Sequence, residues 1–263
     1  MKTSNSEKLS IIVPVHNEVE TIEKFISSIL QCYSNIEVLI GDDASSDGTQ
    51  EIIKKYESDS RIKVLYLGKN EGAGAVRNRL LEIADGDYIA IQDADDPPVQ
   101  ERFLKQIQYL EDNAHVDIAG SWADLITPDG RCWGTIKPPL APSLWDWIIQ
   151  RSTVHASVMF RRRVKSCARY HEELRFGEDY YFLTALYWKG CVLENIQEPL
   201  YKYNVRPKDL LGRSRSKFWQ ILTAKIAISE LFPRSIRGIF LVVNFLNLFW
   251  GFIRGLILSI TKR

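Results

Sequence analysis

Short apolar, β-branched runs alternate with amphipathic stretches through the first hundred residues. Residues 10–15 form a strand-length apolar run, and residues 19–30 repeat apolar positions at helical spacing. Residues 36–40, 62–67 and 87–91 predict three further strands, with helices predicted over 47–56 and 74–84 between them. Strands alternating with helices at this spacing predict an α/β fold built on a mainly parallel sheet with helices on both faces. Ligands of such sheets sit beyond the carboxyl ends of the strands, so the residues that follow each strand carry the functional argument.

After residues 117–119 the alternation breaks down. Residues 156–160, 191–194 and 200–205 read as short strands, residues 180–188 as a helix, and 137–142 as a Pro-rich loop. A helix is predicted from about 216 to 231. Residues 238–260 are nearly all apolar, broken by Asn244, Asn247 and Arg254. The pattern divides the chain at about residue 210. One region covers 1–210, with a first half over about 8–100 and a second half over about 101–210, and a basic, apolar helical tail covers 211–263.

The net charge of +1 conceals an asymmetry. Residues 1–201 hold 22 Lys/Arg against 31 Asp/Glu, whereas residues 202–263 hold 12 against 2. That distribution disfavours a nucleic-acid binder and points the tail toward an anionic surface. Cys32, Cys132, Cys167 and Cys191 form no Cys-x-x-Cys pair, which excludes a zinc knuckle or small disulfide scaffold and fits a reducing compartment. The polar first ten residues lack the apolar core of a signal peptide, so the expected location is the cytoplasmic face of the cell membrane.

Three predicted strand ends are rich in acids and amides: Pro14-Val15-His16-Asn17-Glu18, Asp42-Asp43-Ala44-Ser45-Ser46-Asp47, and Gln92-Asp93-Ala94-Asp95-Asp96. Carboxylates gathered on one edge repel one another and call for a metal or a hydrogen-bonding ligand. Alternate residues of an extended Asp-x-Asp segment project to one side, so both can face one hard cation. Local roles compete with this reading. Asp96 before Pro97 is a suitable helix N-cap, and Asp47 can cap the second helix.

Together with Asn70-Glu71-Gly72-Ala73-Gly74-Ala75-Val76-Arg77-Asn78 and Gly177-Glu178-Asp179, these segments resemble the motifs of the family 2 inverting glycosyltransferases of bacterial surface-glycan type, which have the GT-A fold. The likeness spans roughly residues 10–205. It implies a nucleotide-sugar donor, most often UDP-linked, and Mn²⁺ or Mg²⁺ as cofactor. Pro14, His16, Glu18, Asp43, Gly72, Arg77, Asp93 and Ala94 are then the nucleotide-binding residues. Asp43, with Asp42 as its neighbouring candidate, accepts the uracil imide; Asp93 lies near the ribose or sugar; Asp95 ligates the metal. Asp179 resembles the general base, with Glu178 as the alternative, and both also suit a helix start, where the dipole favours acids.

Departures from the family pattern narrow the substrate. No His follows Tyr203-Asn204-Val205-Arg206 before Ser214 and Ser216, where many relatives carry one, and Arg206 or Arg213 is left to close over the diphosphate. The Gln-x-x-Arg-Trp signature of processive synthases is absent, which favours transfer of a single sugar. His155 reads as a hydrogen-bonded core residue, His171 carries no assignment, and Trp133, Trp145 and Trp147 can pack or stack on sugars.

The tail suggests a glycan or lipid-linked acceptor at the inner leaflet. Its apolar segment reads as an in-plane, spanning, buried or homodimerising helix. Two rivals remain at this stage: a sugar-nucleotide nucleotidyltransferase, and a membrane-associated binding subunit without catalysis. A dehydrogenase is disfavoured because no Gly-x-Gly-x-x-Gly opens the first helix.

Overall fold

The structure, a computed structural model, describes residues 7–205 and 215–246. Its strands are β1 (Leu9–Val15), β2 (Ile36–Asp42), β3 (Ile62–Tyr66), β4 (Tyr88–Ile91), β5 (Ile118–Ile126), β6 (Cys132–Ile136), β7 (Met159–Arg161) and β8 (Leu193–Asn204). The helices are α1 (Ile22–Ile29), α2 (Thr49–Lys54), α3 (Ala73–Ile83), α4 (Arg102–Asp112), α5 (Leu144–Ile148), α6 (Glu178–Trp188), α7 (Arg215–Leu231) and α8 (234–246).

All eight strands share one mixed sheet in the order β3-β2-β1-β4-β7-β5-β6, with β8 paired along β5. Strands β3, β2, β1 and β4 are parallel, and β7 enters antiparallel between β4 and β5. Both faces of β1 are covered, as a parallel strand requires: Ile11 and Val13 pack with Phe25 and Phe103, while Ile12 packs with Val76 and Leu80. Each such aliphatic side chain stabilises the fold by about 1.5–3 kcal/mol on burial.

Helix α3 approaches β2 closely because residue 41 is glycine. A Cβ there would lie 2.3 Å from Val76 Cγ1. This close packing brings the first turns of α3, with Arg77, to the carboxyl ends of β1, β2 and β4.

The first four strands and three helices lie where the apolar pattern puts them. Beyond residue 92 the structure differs. Asp96 is not a helix cap: α4 starts at Arg102 with Glu101 before it. The Asp96 carboxylate instead accepts from Tyr201 Oη and the Asn204 backbone N–H, both at 2.7 Å, so it is held inside the fold. The run 156–160 opens as a single 3-10 turn, His155–Ser157, because its backbone bonds locally before β7 begins. The strands expected over 191–194 and 200–205 merge into one long strand, Leu193–Asn204, whose register shifts opposite Ser121–Ala123 absorb the irregularity around Pro199. Strand β6 and helix α5 were not foreseen.

The first part of the tail packs on the preceding α/β region. Ile148 of α5, Ile228 and Phe232 of α7 and its following turn, and Phe240 of α8 form one apolar cluster. Phe232 stacks on Phe240 at 4.6 Å between ring centroids and meets Trp188 edge-on at 5.5 Å. No helix among the described residues is long and apolar enough to cross a membrane. Arg206, Arg213, Ser214, Arg254 and residues 247–260 of the apolar segment lie outside the described residues, as does the side chain of Ser216.

Candidate active site

The loops beyond β1 and β2 lock together. Asn17, at φ 56°, donates its backbone N–H to Ser45 Oγ and accepts from the Ser46 N–H with Oδ1. His16 Nδ1 lies 2.8 Å from the Asp43 carbonyl. Asp42, fully buried, accepts from the Ser45 N–H and from Gln50 Nε2 at 2.6 Å, which makes it a brace inside its own loop. Asp47 accepts from the Thr49 N–H and hydroxyl with Oδ1 and from the Val19 N–H with Oδ2. It therefore fastens the start of α2 to the loop after β1.

The Asp43 carboxylate turns the other way. Its two oxygens accept the N–H groups of Glu71 at 2.6 Å and Gly72 at 2.8 Å, which fixes the loop leading into α3. Gly72 sits at φ 95°, and a Cβ there would lie 2.6 Å from Arg175 Nη1, so this turn excludes a side chain.

A cavity of about 220 Å³ opens beyond these strand ends. Pro14, Val15, His16, Glu18, Asp43, Ala73, Val76, Arg77, Asp93, Ala94 and Asp95 line it. Every nucleotide-binding residue expected from the motifs is on this wall except Gly72, which reaches it through the Asp43 hydrogen bond. Asp95, the expected metal ligand, is on the same wall. Its backbone is held from β8, where Asn204 Nδ2 donates to the Asp95 carbonyl at 2.5 Å. Burial, followed by the neighbouring Asp95 charge, pushes the Asp96 carboxyl up to about 8.

Arg77 connects this cavity to a second one. Its Nη2 pairs with Asp93 at 3.1 Å and its Nη1 with Glu178 at 3.1 Å. The guanidinium also lies over the Tyr170 ring, 5.6 Å from its centroid. Burial alone would lower its pKa, but Asp93, Tyr170, Glu178 and Asp179 together raise it, so Arg77 is a permanent cation among acids.

The second cavity, of about 420 Å³, includes Glu178, Asp179, His155 and Gln150 on its wall, and α7 supplies Ile221, Ala224, Lys225 and Ile228. Gly177, at φ 78°, starts α6 and lets α7 come close, since a Cβ there would lie 3.0 Å from Ala224 Cβ. Burial raises the Asp179 pKa, opposed by the Tyr180 N–H that its Oδ1 accepts at 2.7 Å and by Arg77. Burial and then the Asp179 charge raise that of Glu178.

Asp43 and Asp95 thus share one cavity, and Asp179 lines its neighbour across the Asp93–Arg77–Glu178 chain. His155 is hydrogen-bonded to Tyr170 Oη at 2.8 Å and borders the second cavity; burial and Arg77 hold it neutral, far below its usual range. His171 meets Tyr181 edge-on. Trp147 is buried and stacked on Tyr187 at 4.8 Å, whereas Trp133 and Trp145 are exposed outside both cavities. The sequence reading missed Gln150, Arg175 and Lys225 as cavity residues. Nothing in their local sequence marks them, because only the packing of α5, α6 and α7 brings them together. Among the described residues, no three His, Cys, Asp or Glu side chains cluster to hold a metal.

Residues 10–168 match the profile of Glycosyl transferase family 2. The chain is 31% identical over 233 residues to the uncharacterized glycosyltransferase MJ1057 of Methanocaldococcus jannaschii, covering 82% of this chain and 78% of that protein. Its fold resembles S. aureus TarS 1–349 in complex with UDP-GlcNAc, with TM-score 0.71, 22% identity, and coverage of 93% and 73%. It also resembles the mannosyltransferase PcManGT of Pyrobaculum calidifontis in complex with GDP-Man and Mn²⁺, with TM-score 0.65, 16% identity, and coverage of 95% and 73%. The sheet with its flanking helices is accordingly a GT-A-like fold. This chain belongs to glycosyl transferase family 2 and is a glycosyltransferase.

Proposed function

We propose that this enzyme moves one sugar per encounter from a UDP-sugar to a hydroxyl of a glycan or lipid-linked acceptor, inverting the anomeric centre. One observation carries the reading: the Asp93–Arg77–Glu178 ion pairs join a cavity lined by Asp43 and Asp95 to one lined by Asp179. Donor and acceptor sites on either side of one charged bridge are what a single displacement needs.

The nucleotide belongs in the smaller cavity, with the base against Pro14, His16 and Asp43. Each Asp43 oxygen spends one lone pair on a backbone N–H, so a second remains for the uracil imide. The complex of the neighbour TarS with UDP-GlcNAc supports a UDP-linked donor. Arg77 holds Asp93 toward the ribose or sugar and lends positive charge near the diphosphate.

The donor set suits a hard cation, since this cavity offers carboxylate oxygens and no thiol. Asp95, with Asp93 beside it, would hold Mn²⁺ or Mg²⁺, ions that take few protein ligands and complete their shell with phosphates and water. When bound, the ion supplies positive charge to the departing diphosphate.

Asp179 acts on the acceptor. A sugar hydroxyl is a poor nucleophile near neutral pH, and a carboxylate whose pKa is raised by burial is a stronger base than one in water. Glu178 is the weaker candidate because Arg77 holds its carboxylate. Attack on the face opposite the leaving diphosphate inverts the anomeric carbon without a covalent enzyme intermediate.

The exposed Ile239, Val242, Phe245 and Leu246 of α8, with Arg234 and Arg237 near its start, support contact with the anionic inner leaflet. The test of the donor assignment is nucleotide release from a panel of UDP- and GDP-sugars with Mn²⁺, Mg²⁺ or EDTA. UDP release should require metal and fall by at least about 100-fold in Asp95→Ala. Normal turnover of that variant, or release in EDTA, contradicts the metal assignment.

A further inference from the structure

We propose that Asn78 is a positioning residue of the transfer reaction: it fixes Tyr170, and through the Tyr170 ring the first turn of α6, so that Asp179 stands at a set distance from a donor held on α3. The inference rests on Asp179 as the base and on the smaller cavity as the donor site.

Helix α3 serves two neighbours. Ala73, Val76 and Arg77 line the smaller cavity. Gly74, Arg77 and Asn78, spaced three and four residues apart on one helical face, meet the segment 170–178 that leads into α6. The approach is close: a Cβ at residue 74 would lie 3.2 Å from Glu178 Cγ and 3.4 Å from the His171 carbonyl oxygen. One rigid element thus borders the donor cavity and receives the segment that carries the base.

Asn78 is 1% exposed and commits its whole amide to that segment. Its Oδ1 accepts the Tyr170 N–H at 2.9 Å, and its Nδ2 donates to the Tyr170 carbonyl and to Glu172 Oε1, each at 2.9 Å. An amide presents a donor and an acceptor side by side, so one side chain meets both backbone groups of Tyr170 as a strand neighbour would. These bonds are directional and therefore fix where the segment sits as well as whether it packs. Arg175 Nη1 ties the same segment to Asn70 Oδ1 at 2.8 Å.

From Tyr170 the constraint passes by packing. Its ring stacks on Phe182 with centroids 4.1 Å apart and planes 13° apart, and both residues are buried. Phe182 lies three residues beyond Asp179 on α6, so the two are neighbours on the helix surface. The residue before α6 is Gly177, which has no side chain to anchor the helix start. The Tyr170–Phe182 stack and the Arg77–Glu178 pair locate that first turn instead. A misplacement of about 1 Å between reacting groups can cost about 100-fold in rate, so the placement bears on the reaction.

The test compares wild type, Asn78→Ala, Phe182→Leu and the double variant, with folding checked by thermal melts. UDP release is followed from UDP-GlcNAc, UDP-glucose and UDP-galactose with Mn²⁺ and water as the acceptor. Each single variant should lose about 10–100-fold in kcat while KM for the donor stays within about twofold. The acidic limb of kcat/KM should move down toward the ordinary aspartate range, because a loosened helix start admits water to Asp179, whose pKa burial raises. The double variant should lose less than the product of the two single losses, since both act along one path. In crystals of Asn78→Ala with UDP and Mn²⁺, the nucleotide should keep its wild-type pose while the Asp179 carboxylate moves by about 1 Å or more.

A kcat within about twofold of wild type in either single variant overturns the proposal. So does a lower kcat with the acidic limb and Asp179 both unmoved, the mark of a merely structural residue. A loss confined to KM places Asn78 at the donor and overturns it too. If Asn78→Ala fails to fold, the limb and the Asp179 position in Phe182→Leu decide. If the wild type releases UDP from none of the three donors, the proposed function falls instead, and the position of Asp179 in the variant crystals still decides the role of Asn78.

Discussion

Replacing Arg77 with Met removes the cation that joins the two cavities while keeping most of the side-chain volume. The Arg77 side chain is only 7% exposed and is paired at 3.1 Å to both Asp93 and Glu178, so solvent screens these contacts little. Removing one partner from a buried ion pair costs about 3–5 kcal/mol, because the other charge stays buried without compensation. For a chain of this size, each kcal/mol moves the melting temperature by about 2–4 °C, so Arg77→Met should melt about 6–20 °C lower near neutral pH.

The deficit should depend on pH with a definite sign. Burial already raises Glu178 and Asp179, and losing Arg77 raises them further. A carboxyl whose folded pKa exceeds its unfolded pKa binds more protons in the folded state through that interval, so stability falls as pH rises across it. Thermal melts at pH 5, 6.5 and 8 should therefore show the largest gap between wild type and Arg77→Met at pH 8 and the smallest at pH 5. Adding Glu178→Gln should recover part of the loss, since the pair is coupled by about 0.5–3 kcal/mol. A gap below about 2 °C, or one constant across pH, would refute the ion-pair reasoning.

Other outcomes follow from the same geometry. Asp179→Asn should leave UDP-sugar affinity within about twofold while transfer falls by at least about 100-fold, comparable to the loss of a general base; equal losses in both would remove Asp179 from the chemistry. The acidic limb of kcat/KM should have its midpoint above the ordinary aspartate range of about 4, because burial raises Asp179, and a limb at or below that value contradicts the assignment. Gly41→Ala should lower the melting temperature by about 2–12 °C through overpacking of about 1–3 kcal/mol against Val76, and Val76→Ala in the same chain should restore part of it.

Strands β1, β2 and β4 were legible because they are buried on both faces and read as largely apolar runs, and the edge strand β3 keeps apolar residues around the exposed Lys63. Their ends followed from the strands, and the smaller cavity formed from the residues placed there. The later half hid itself. β7 covers only the end of the strand read over 156–160, and its antiparallel direction is set by its neighbours, which no local pattern announces. β6 is a largely exposed strand of five residues with Gly134 and Thr135 breaking its apolar positions, so its signal is too short to read. Asp96 looked like a cap because Pro97 follows it; its true partners, Tyr201 and Asn204, lie 105 and 108 residues away. Arg77 was read as a nucleotide-binding residue, and only the fold shows that it pairs with the carboxylates of Asp93 and Glu178. Lys225 sat inside a run of tail charges whose overall sign drew attention away from its place on one cavity wall.

A crystal structure with UDP and Mn²⁺ tests the central claim most directly. The nucleotide should lie between Pro14, His16 and Asp43, with anomalous signal from manganese at Asp95 and the diphosphate directed toward Arg77. UDP bound against Lys225 and Ile228, or manganese at Asp179, would contradict it.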